Sequence, residues 1–340
     1  MYRNLLKMTD STGIIQFSSI SSPLPESGYT VDDNARALIV AMEMEGKERE
    51  RLIKSYSNFL IVAQCHTGEW LNLKVNGWFF SIINSQDCVG RGVLAASYAV
   101  SCGVPETEHI AKKMLGKALP KAINLSSPRA MAYVLLGVVN LIDSIGITDL
   151  YPKGREIADK LIGLYDINHA HCWLWFEEIL TYCNALLPHS LFAFYTVSDD
   201  KRAMTVAKDT LDFLCESLFK KGYLNIVGNK GWWKKRAEIP PYDQQPVDAA
   251  SIVLACLQAY LATREIEYIR KAQLAYDWYF GKNINNVPLY NDRTQGCHDA
   301  LVPDGVNLNQ GAEAVVSFLL AHQMLENVIE QRYQRLIPAV

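Results

Sequence analysis

The fold of this chain is decided by the stretch Thr181-Tyr-Cys-Asn-Ala-Leu-Leu-Pro-His-Ser-Leu-Phe-Ala-Phe194, which follows the segment Trp173-Leu-Trp-Phe-Glu-Glu178. The stretch is apolar on almost every side, as is typical of a helix inside a large protein. The segment before it combines two tryptophans with two adjacent glutamates. A plain connection does not need this combination of residues, so their presence indicates a binding or catalytic loop.

The same order recurs along the chain: a polar or acidic loop, an apolar helix, and then a helix with one apolar face. The pattern predicts apolar helices over residues 31–42, 92–101, 130–142, 181–194, 249–262 and 312–325. It predicts amphipathic partners over residues 47–64, 106–122, 154–165, 199–219 and 265–280, with the tail after Glu326 as the sixth partner.

Six such hairpins fit two concentric rings of helices with the apolar set inside. A helical solenoid also repeats helix pairs, but the irregular spacing and the long loops before the apolar helices favour a closed ring. We therefore predict an all-α fold, an (α/α)6 toroid that residues 1–340 form as one domain. Because long loops in a compact domain are usually functional, we expect these loops to gather at one end and line one cavity.

The composition is that of an ordinary soluble globular protein, since 49% of the 340 residues are hydrophobic and the net charge is −3. The chain has no Lys/Arg run, so we predict no nucleic-acid partner. No stretch reaches the ~20 apolar residues of a membrane span, and the start has no apolar signal segment. We therefore expect a cytoplasmic protein without a membrane partner.

The cysteines and histidines predict neither a disulfide framework nor a metal site. The eight cysteines are scattered without a C-x-x-C pair, which is typical of reduced thiols. The one tempting cluster, His169-x-His171-Cys172, lacks a second pair of ligands, so we predict no zinc. The sequence also has no Gly-rich phosphate loop, and we predict no cofactor.

Three further motifs are Asp32-Asp-Asn-Ala-Arg36, Trp175-Phe-Glu-Glu178 with Thr181-Tyr-Cys-Asn-Ala-Leu-Leu-Pro-His189, and Asn309-Gln-Gly-Ala-Glu313. With the helix pattern, they resemble the six-hairpin glycosidase superfamily over essentially the whole chain. More narrowly, they resemble an (α/α)6 group found beside or fused to glycosyltransferases and mannoside-processing enzymes. The resemblance implies that the partner is an oligosaccharide containing mannose or a related sugar, and that the protein works together with a glycosyltransferase.

The sequence departs from this group at a few positions. Cys183 and Leu186 stand where the resemblance implies polar residues, and Ala314-Val315 stands where it implies Ser-Thr. If those positions contact the substrate, the departures alter the specificity and weaken the activity. The resemblance therefore indicates the substrate class better than the reaction.

Glycoside hydrolysis needs two carboxyl groups across the scissile bond. Glu178 is the predicted general acid, because the aromatic side chains of Trp173-Leu-Trp-Phe176 could exclude water from it and raise its pKa. Asp243, which follows two prolines and a tyrosine, is the predicted base, and Asp33 is the next candidate. With these groups we predict an inverting glycoside hydrolase.

Some loop acids also have a purely structural explanation. Asp32 or Asp33 is expected to cap the first apolar helix, and Asp248 is expected to cap the fifth. Asp87 is expected either to act as a cap beside Arg91 or to contact the substrate.

Aromatic faces and hydrogen-bonding side chains near the loops are suited to hold sugar rings and to read their hydroxyl groups. The predicted substrate-binding residues are Tyr29, Asp32, Trp70, Trp78, Asp87, Arg91, Trp175, Glu177, Asn184, His189, Gln245, His298 and Glu313. Glu313 lies inside an apolar helix, where a carboxylate must be paired or line a cavity, and we favour the cavity. His189 is equally well explained as a core histidine.

Two other functions fit the same residues. A sugar epimerase or isomerase on this scaffold would use histidines such as His189 and His298 as its acid and base. A non-catalytic glycan-binding partner of a glycosyltransferase would bind the sugar without turnover, and the departure at Cys183 favours this reading.

Overall fold

The computed structural model describes the backbone of residues 1–336 and the side chains of residues 1–330. The helices are α1 Arg3–Met8, α2 Val31–Met42, α3 Lys47–Ala63, α4 Gln86–Ala99, α5 Pro105–Ala122, α6 Pro128–Ile145, α7 Tyr151–Asn168, α8 Leu186–Ser198, α9 Lys201–Leu218, α10 Pro246–Thr263, α11 Ile266–Tyr276 and α12 Ala312–Leu336. Short 3-10 turns and short strands fill parts of the loops between them.

The strands are β1 Ser18–Ser19, β2 Ser22–Pro23, β3 Tyr29–Thr30, β4 Leu73–Val75, β5 Trp78–Phe80, β6 Ile179–Leu180, β7 Trp233–Lys234, β8 Tyr290–Asn291, β9 Gly296–Cys297, β10 Ala300–Val302 and β11 Gly305–Asn307. All their pairings are antiparallel. They fasten the long loops to one another; β3, for example, pairs with β4 and leads directly into α2.

Six helices form a closed inner ring. α2 packs against α4, and the contacts continue in order through α6, α8, α10 and α12, which packs back against α2. α3, α5, α7, α9 and α11 lie outside, each against the inner helix that precedes it. An open solenoid would leave its two end helices apart, so the closed ring confirms the predicted (α/α)6 toroid.

The inner helices are apolar because each one contacts two ring neighbours and an outer helix. In α10, Val253 and Leu257 are fully buried, whereas Leu254 and Gln258 are only half-buried because they line the ring axis. α6 and α10 are each long and apolar enough to cross a membrane, but they are inner-ring helices, 61% and 67% buried. Their apolar character is explained by their place in the ring.

The sixth hairpin differs from the prediction. As far as the structure describes it, the tail after Glu326 is not a separate outer helix, because α12 continues without a break to Leu336. The short helix α1 packs against α12 instead, and its Leu5 and Met8 are fully buried. The N-terminal segment thus supplies the outer partner of the last inner helix.

Hydroxyl groups, not acids, cap three of the inner helices. Thr30, Ser85 and Ser127 each accept a hydrogen bond from an amide in the first turn of α2, α4 and α6. The prediction that Asp32 or Asp33 is the cap is therefore wrong. Both acids lie in the first turn of α2, where the positive end of the helix dipole stabilises a carboxylate.

Four inner helices begin at residues other than those predicted: α6 and α10 begin two and three residues earlier, at Pro128 and Pro246, and the larger differences are at α4 and α8. α4 begins at Gln86 because Ser85 caps it. α8 begins at Leu186, after a turn in which the Asn184 side chain bonds the backbone N–H and carbonyl of Thr181. This turn keeps Thr181 to Ala185 out of the helix and presents them to the neighbouring loops.

The inner helices direct the same sequence positions toward the ring axis. A cavity of about 240 Å³, here called the lumen, lies between them. The sixth residues of α2, α4, α6, α10 and α12 line it, and these are Arg36, Arg91, Tyr133, Ser251 and Ser317. The ninth residues of the same helices also line it, and these are Ile39, Leu94, Leu136, Leu254 and Leu320. A polar layer near the helix N-termini is therefore followed by an apolar layer.

Candidate active site

The inner helices all begin at one end of the ring, here called the rim, because each outer helix returns the chain to that end. A cavity of about 270 Å³, the rim cavity, lies between the first turns of α2, α10 and α12. Its lining includes the carboxyl side chains of Asp32, Asp33, Asp299 and Glu313, together with Gln245. The loops before α2, α4, α10 and α12 therefore line one cavity, as the sequence pattern predicts, whereas the loops before α6 and α8 do not contribute to its lining.

Arg36 links two of these acids. Its guanidinium lies 3.4 Å from Asp33 Oδ1 and 3.0 Å from Glu313 Oε2. Arg36 and Asp33 are buried, whereas the side chain of Glu313 is 48% exposed. Burial raises the pKa of Asp33 to about 7, although Arg36 opposes the shift. Near neutral pH, the rim thus holds a buried acid that is partly protonated beside an accessible carboxyl group.

Asp32, in contrast to Asp33, is stabilised in its ionised form. Arg91 Nη1 lies 2.8 Å from Asp32 Oδ1, and Asn72 Nδ2 donates a hydrogen bond to Asp32 Oδ2 at 2.9 Å. Burial would raise the pKa of Asp32, but Arg91, Arg36 and the hydrogen bonds hold it below its ordinary value. Two adjacent residues therefore carry carboxyl groups whose pKa values are displaced in opposite directions.

Asp299 is the fourth acid of the rim cavity. Its Oδ1 accepts a hydrogen bond from the N–H of Gly311 at 2.6 Å, and the residue is half-buried. Burial raises the pKa of Asp299, the Gly311 N–H opposes the shift, and the charge of Glu313 adds to it. The sequence alone marks Asp299 only as one loop acid among many, because its neighbours at the rim come from other parts of the chain.

A second network lies at the start of α6. Arg129 Nη1 lies 3.0 Å from Glu177 Oε2, and Nη2 donates a hydrogen bond to Asn184 Oδ1 at 3.1 Å. The guanidinium also lies over the ring of Tyr182, whose hydroxyl donates to Asp87. The structure thus gathers the predicted residues Asp87, Glu177 and Asn184 around Arg129. The sequence signal for Arg129 is an arginine at the second position of an apolar helix.

Asp248 is not the N-cap that the sequence predicts, because Gln245 occupies that position. Asp248 Oδ1 instead accepts a hydrogen bond from the backbone N–H of Cys183 at 2.7 Å, and the residue is only 7% exposed. Burial raises the pKa of Asp248 to about 7, although this hydrogen bond opposes the shift. The contact joins α10 to the loop that precedes α8.

Glu178 and Asp243, the predicted general acid and base, lie outside the lining of both cavities, whereas Asp33, the next candidate, lines the rim cavity. Glu178 is exposed, and Trp173 and Trp175 are buried in the core, so the expectation that they shield Glu178 from water is wrong. Their rings pack against Phe213 and neighbouring aromatic side chains. Asp243 is half-buried, with Oδ2 3.6 Å from Lys230 Nζ.

The predicted aromatic platforms differ in exposure. Trp70 and Trp175 are 1% and 0% exposed, so neither presents a face to a ligand in this structure. Trp78 is 74% exposed on β5, in the small sheet that β3 connects to the rim. Tyr29 is half-buried, and its hydroxyl donates to Asp10 Oδ2 at 2.6 Å. Trp78 is the accessible member of this set.

The two candidate histidines lie in different surroundings. His189 lines the lumen, and burial lowers its pKa to about 4, so its ring is neutral at pH 7. His298 is largely buried, with Nδ1 3.0 Å from the carbonyl oxygen of Leu308, and burial lowers its pKa. His298 lines neither cavity. Among the described residues, no group of three or more His, Cys, Asp or Glu side chains is arranged to hold a metal ion.

Comparisons with solved structures identify the fold. No protein family and no curated protein sequence matches the chain. A D-mannose isomerase superposes with a TM-score of 0.74 at 12% identity, covering 97% of this chain and 96% of that one. A sugar epimerase from a ruminal bacterium superposes with a TM-score of 0.73 at 12% identity, covering 97% and 95%. A GH76 α-mannanase from Bacteroides thetaiotaomicron gives 0.62 at 15% identity, covering 90% and 88%. These likenesses establish the (α/α)6 toroid fold.

Proposed function

We propose that this six-hairpin toroid is a carbohydrate-active enzyme that hydrolyses glycosidic bonds at the rim cavity. The observation that carries the proposal is the convergence of four carboxyl groups in one cavity, where the pKa of Asp32 is lowered and the pKa values of Asp33 and Asp299 are raised. Hydrolysis requires one protonated and one ionised carboxyl group across the bond. Environments that separate the pKa values of neighbouring acids provide such a pair.

Asp299 is the proposed general acid. Its pKa is raised by burial, yet the residue is only half-buried and lines the rim cavity. Asp33 also has a raised pKa, but its Oδ2 accepts a hydrogen bond from Thr30 at 2.6 Å and its Oδ1 faces Arg36. Because both oxygens of Asp33 are engaged, we assign Asp33 to the positioning of Arg36.

Glu313 is the proposed general base. Arg36 orients its carboxylate, and the exposure of the side chain gives a water molecule access to it. An inverting enzyme needs space for this water between the base and the sugar. The departure at Ala314-Val315, directly after Glu313, then alters the walls of the same cavity, which Ala314 lines.

The proposed substrate is an oligosaccharide that contains mannose or a related sugar. The superposed proteins include a D-mannose isomerase and an α-mannanase, which supports this class. The rim cavity also offers apolar faces from Phe17 and Ile83, which are 53% and 42% exposed, beside the amide of Gln245. Apolar faces with a few polar groups are suited to sugar rings. A cytoplasmic location and cooperation with a glycosyltransferase complete the proposal.

The test compares four variants on a panel of manno-oligosaccharides, with sugar release as the readout. Asp299→Asn and Glu313→Gln should each reduce the rate by about 10²–10⁴-fold, because general acid–base catalysis contributes that much. Sugar binding measured by calorimetry should change little. Glu178→Gln and Asp243→Asn serve as matched controls, since these acids lie outside the cavity, and both should retain the rate.

Other outcomes would contradict the proposal. If Glu178→Gln and Asp243→Asn lost turnover while Asp299→Asn and Glu313→Gln kept full activity, the catalytic groups would lie outside the rim cavity. Sugar binding without turnover in the unmodified protein would indicate the non-catalytic glycan-binding function.

A sugar epimerase or isomerase is the second candidate. It is favoured by the superposed isomerase and epimerase and by neutral His189 in the lumen, since a neutral imidazole can accept a proton. His189→Ala should then abolish the interconversion of free sugars, measured by chromatography. Retained activity in this variant, with loss in Asp299→Asn, would exclude it.

A further inference from the structure

We propose that the lumen is a second binding site, which takes a linear alkylammonium ion, a saturated chain ending in a primary amine. The site lies on the ring axis beyond the layer of Arg36 and Arg91, separate from the rim cavity. It does not depend on the reaction at the rim, and its test uses binding alone.

The walls of the lumen fit a saturated chain. The ninth residues of five inner helices form an aliphatic layer, and Leu186 and Met324 also line it. An engineered cavity of about 150 Å³ lined by similar residues holds benzene, so about 240 Å³ has room for roughly nine or ten heavy atoms. Burial of a chain of this length is driven by the hydrophobic effect.

The lumen reaches the face of the toroid opposite the rim. Glu43 follows the last residue of α2, Tyr98 lies near the end of α4, and both line the lumen. Glu43 is exposed and Tyr98 is 41% exposed, which marks the mouth of the cavity. Asn327 Nδ2 donates a hydrogen bond to Glu43 Oε2 at 3.2 Å. The mouth is thus polar, whereas the walls behind it are apolar.

The charges at the mouth favour a cation. α2 and α4 end at the mouth, beside Glu43 and Tyr98, and their C-terminal, negative dipole ends stabilise positive charge there. In the lining formed by residues 1–330, Glu43 is the one carboxylate. Gln323 Oε1, also from a lining residue, is buried and has no hydrogen-bond partner among the described residues, so it is a further acceptor for an ammonium group.

The inner end of the lumen does not favour an anion. Arg91 is paired with Asp32 at 2.8 Å, and Arg36 is paired with Glu313 at 3.0 Å. Both guanidinium charges are therefore already paired from the rim side, and of their N–H groups Arg91 Nε has no hydrogen-bond partner among the described residues. A carboxylate at the mouth would face Glu43, so a fatty acid of the same length fits the charges poorly.

The test titrates the protein by calorimetry with n-octylammonium and n-octanoate, each below the concentration at which it forms micelles, and with n-octanol below its solubility limit. Octylammonium should bind roughly two- to fivefold more tightly than octanol, as one partly exposed ion pair provides, and octanoate most weakly. Glu43→Gln should remove the preference for the amine over the alcohol. Glu45→Gln, an exposed acid outside the lining, should keep that preference.

The second part of the test uses a variant in which a larger side chain fills the lumen. Leu136→Trp should weaken octylammonium binding at least about tenfold, because its indole occupies the space of the chain. Circular dichroism checks its folding, and Leu254→Phe replaces it if it does not fold. The proposal is overturned if octylammonium does not bind, if octanoate binds most tightly, or if a folded filled variant binds as well as the unmodified protein.

Discussion

The residues at the rim show how position in the fold sets the state of a side chain. Asp32 and Asp33 are adjacent in the sequence, but the pKa of the first is lowered by two arginines and that of the second is raised by burial. Glu178 follows a tryptophan-rich segment, yet it is exposed because those rings turn into the core. Sequence neighbours therefore do not predict the environment of an acid, which depends on contacts from other helices.

A pH-dependence follows from buried Asp248. Its pKa is about 7 in the folded protein and ~3.9 when unfolded, so the folded state retains a proton that the unfolded state releases in this interval. Its contribution to stability is thus complete below about pH 4 and is lost as the pH rises to about 7. In Asp248→Asn this loss is absent, and the amide oxygen can still accept from Cys183.

We expect the free energy of unfolding of Asp248→Asn, relative to the unmodified protein, to rise between pH 4.5 and pH 7.5 by on the order of 2 kcal/mol. Urea denaturation at several pH values measures it. Asp143→Asn, at an exposed position of α6, is the matched control and should show no such rise. A flat difference for Asp248→Asn would mean that this carboxyl group is already ionised at low pH.

At the scale of the elements, each inner helix presents one stripe to the axis. The sixth and ninth residues of five inner helices line the lumen, a spacing that places them on one face of a helix. This stripe explains why Arg36 and Arg91 occupy equivalent places in α2 and α4. α8 differs: it contributes Leu186 and His189, because the turn built on Asn184 delays its start.

Because only one face of α6 lines the lumen, replacing adjacent leucines of this helix by alanine should lower the free energy of unfolding by different amounts. Leu135 is fully buried between helices, so Leu135→Ala should lower the free energy of unfolding by about 2–5 kcal/mol. Leu136 already faces the lumen, so Leu136→Ala enlarges an existing cavity and should cost roughly 1 kcal/mol. Urea denaturation of the pair gives the comparison. Equal losses would show that Leu136 is packed in the wall and that the lumen is closed there.

At the scale of the whole molecule, the ring is completed by both ends of the chain. α12 packs against α2 and α10, and α1 packs on the outside of the ring against α12. Gln323 Nε2 donates to the carbonyl oxygen of Val40 at 3.0 Å, and Asn4 Nδ2 donates to Gln310 Oε1 at 2.9 Å. A six-residue helix has little stability alone, so α1 depends on these tertiary contacts.

The contribution of α1 to closing the ring can be tested at its two adjacent leucines, Leu5 and Leu6. Leu5 is fully buried, so Leu5→Ala should lower the free energy of unfolding by about 2–5 kcal/mol, as in the core of a large domain. Leu6 is only half-buried, and Leu6→Ala should cost roughly 1 kcal/mol. Thermal and urea unfolding measure both. If Leu5→Ala lowered the free energy of unfolding no more than Leu6→Ala does, α1 would not contribute to closing the ring.

The helical pattern alone determined the six inner helices and five of their outer partners, because burial on all sides and burial on one face leave different periodicities in a sequence. It also predicted that the loops before the inner helices meet. Only the tertiary structure decided that α1, not the tail after Glu326, accompanies α12, and that Asp33, Asp299 and Glu313 share a cavity while Glu178 and Asp243 lie outside it. The physical reason is that periodicity is a local property, whereas ion pairs and burial join residues hundreds of positions apart.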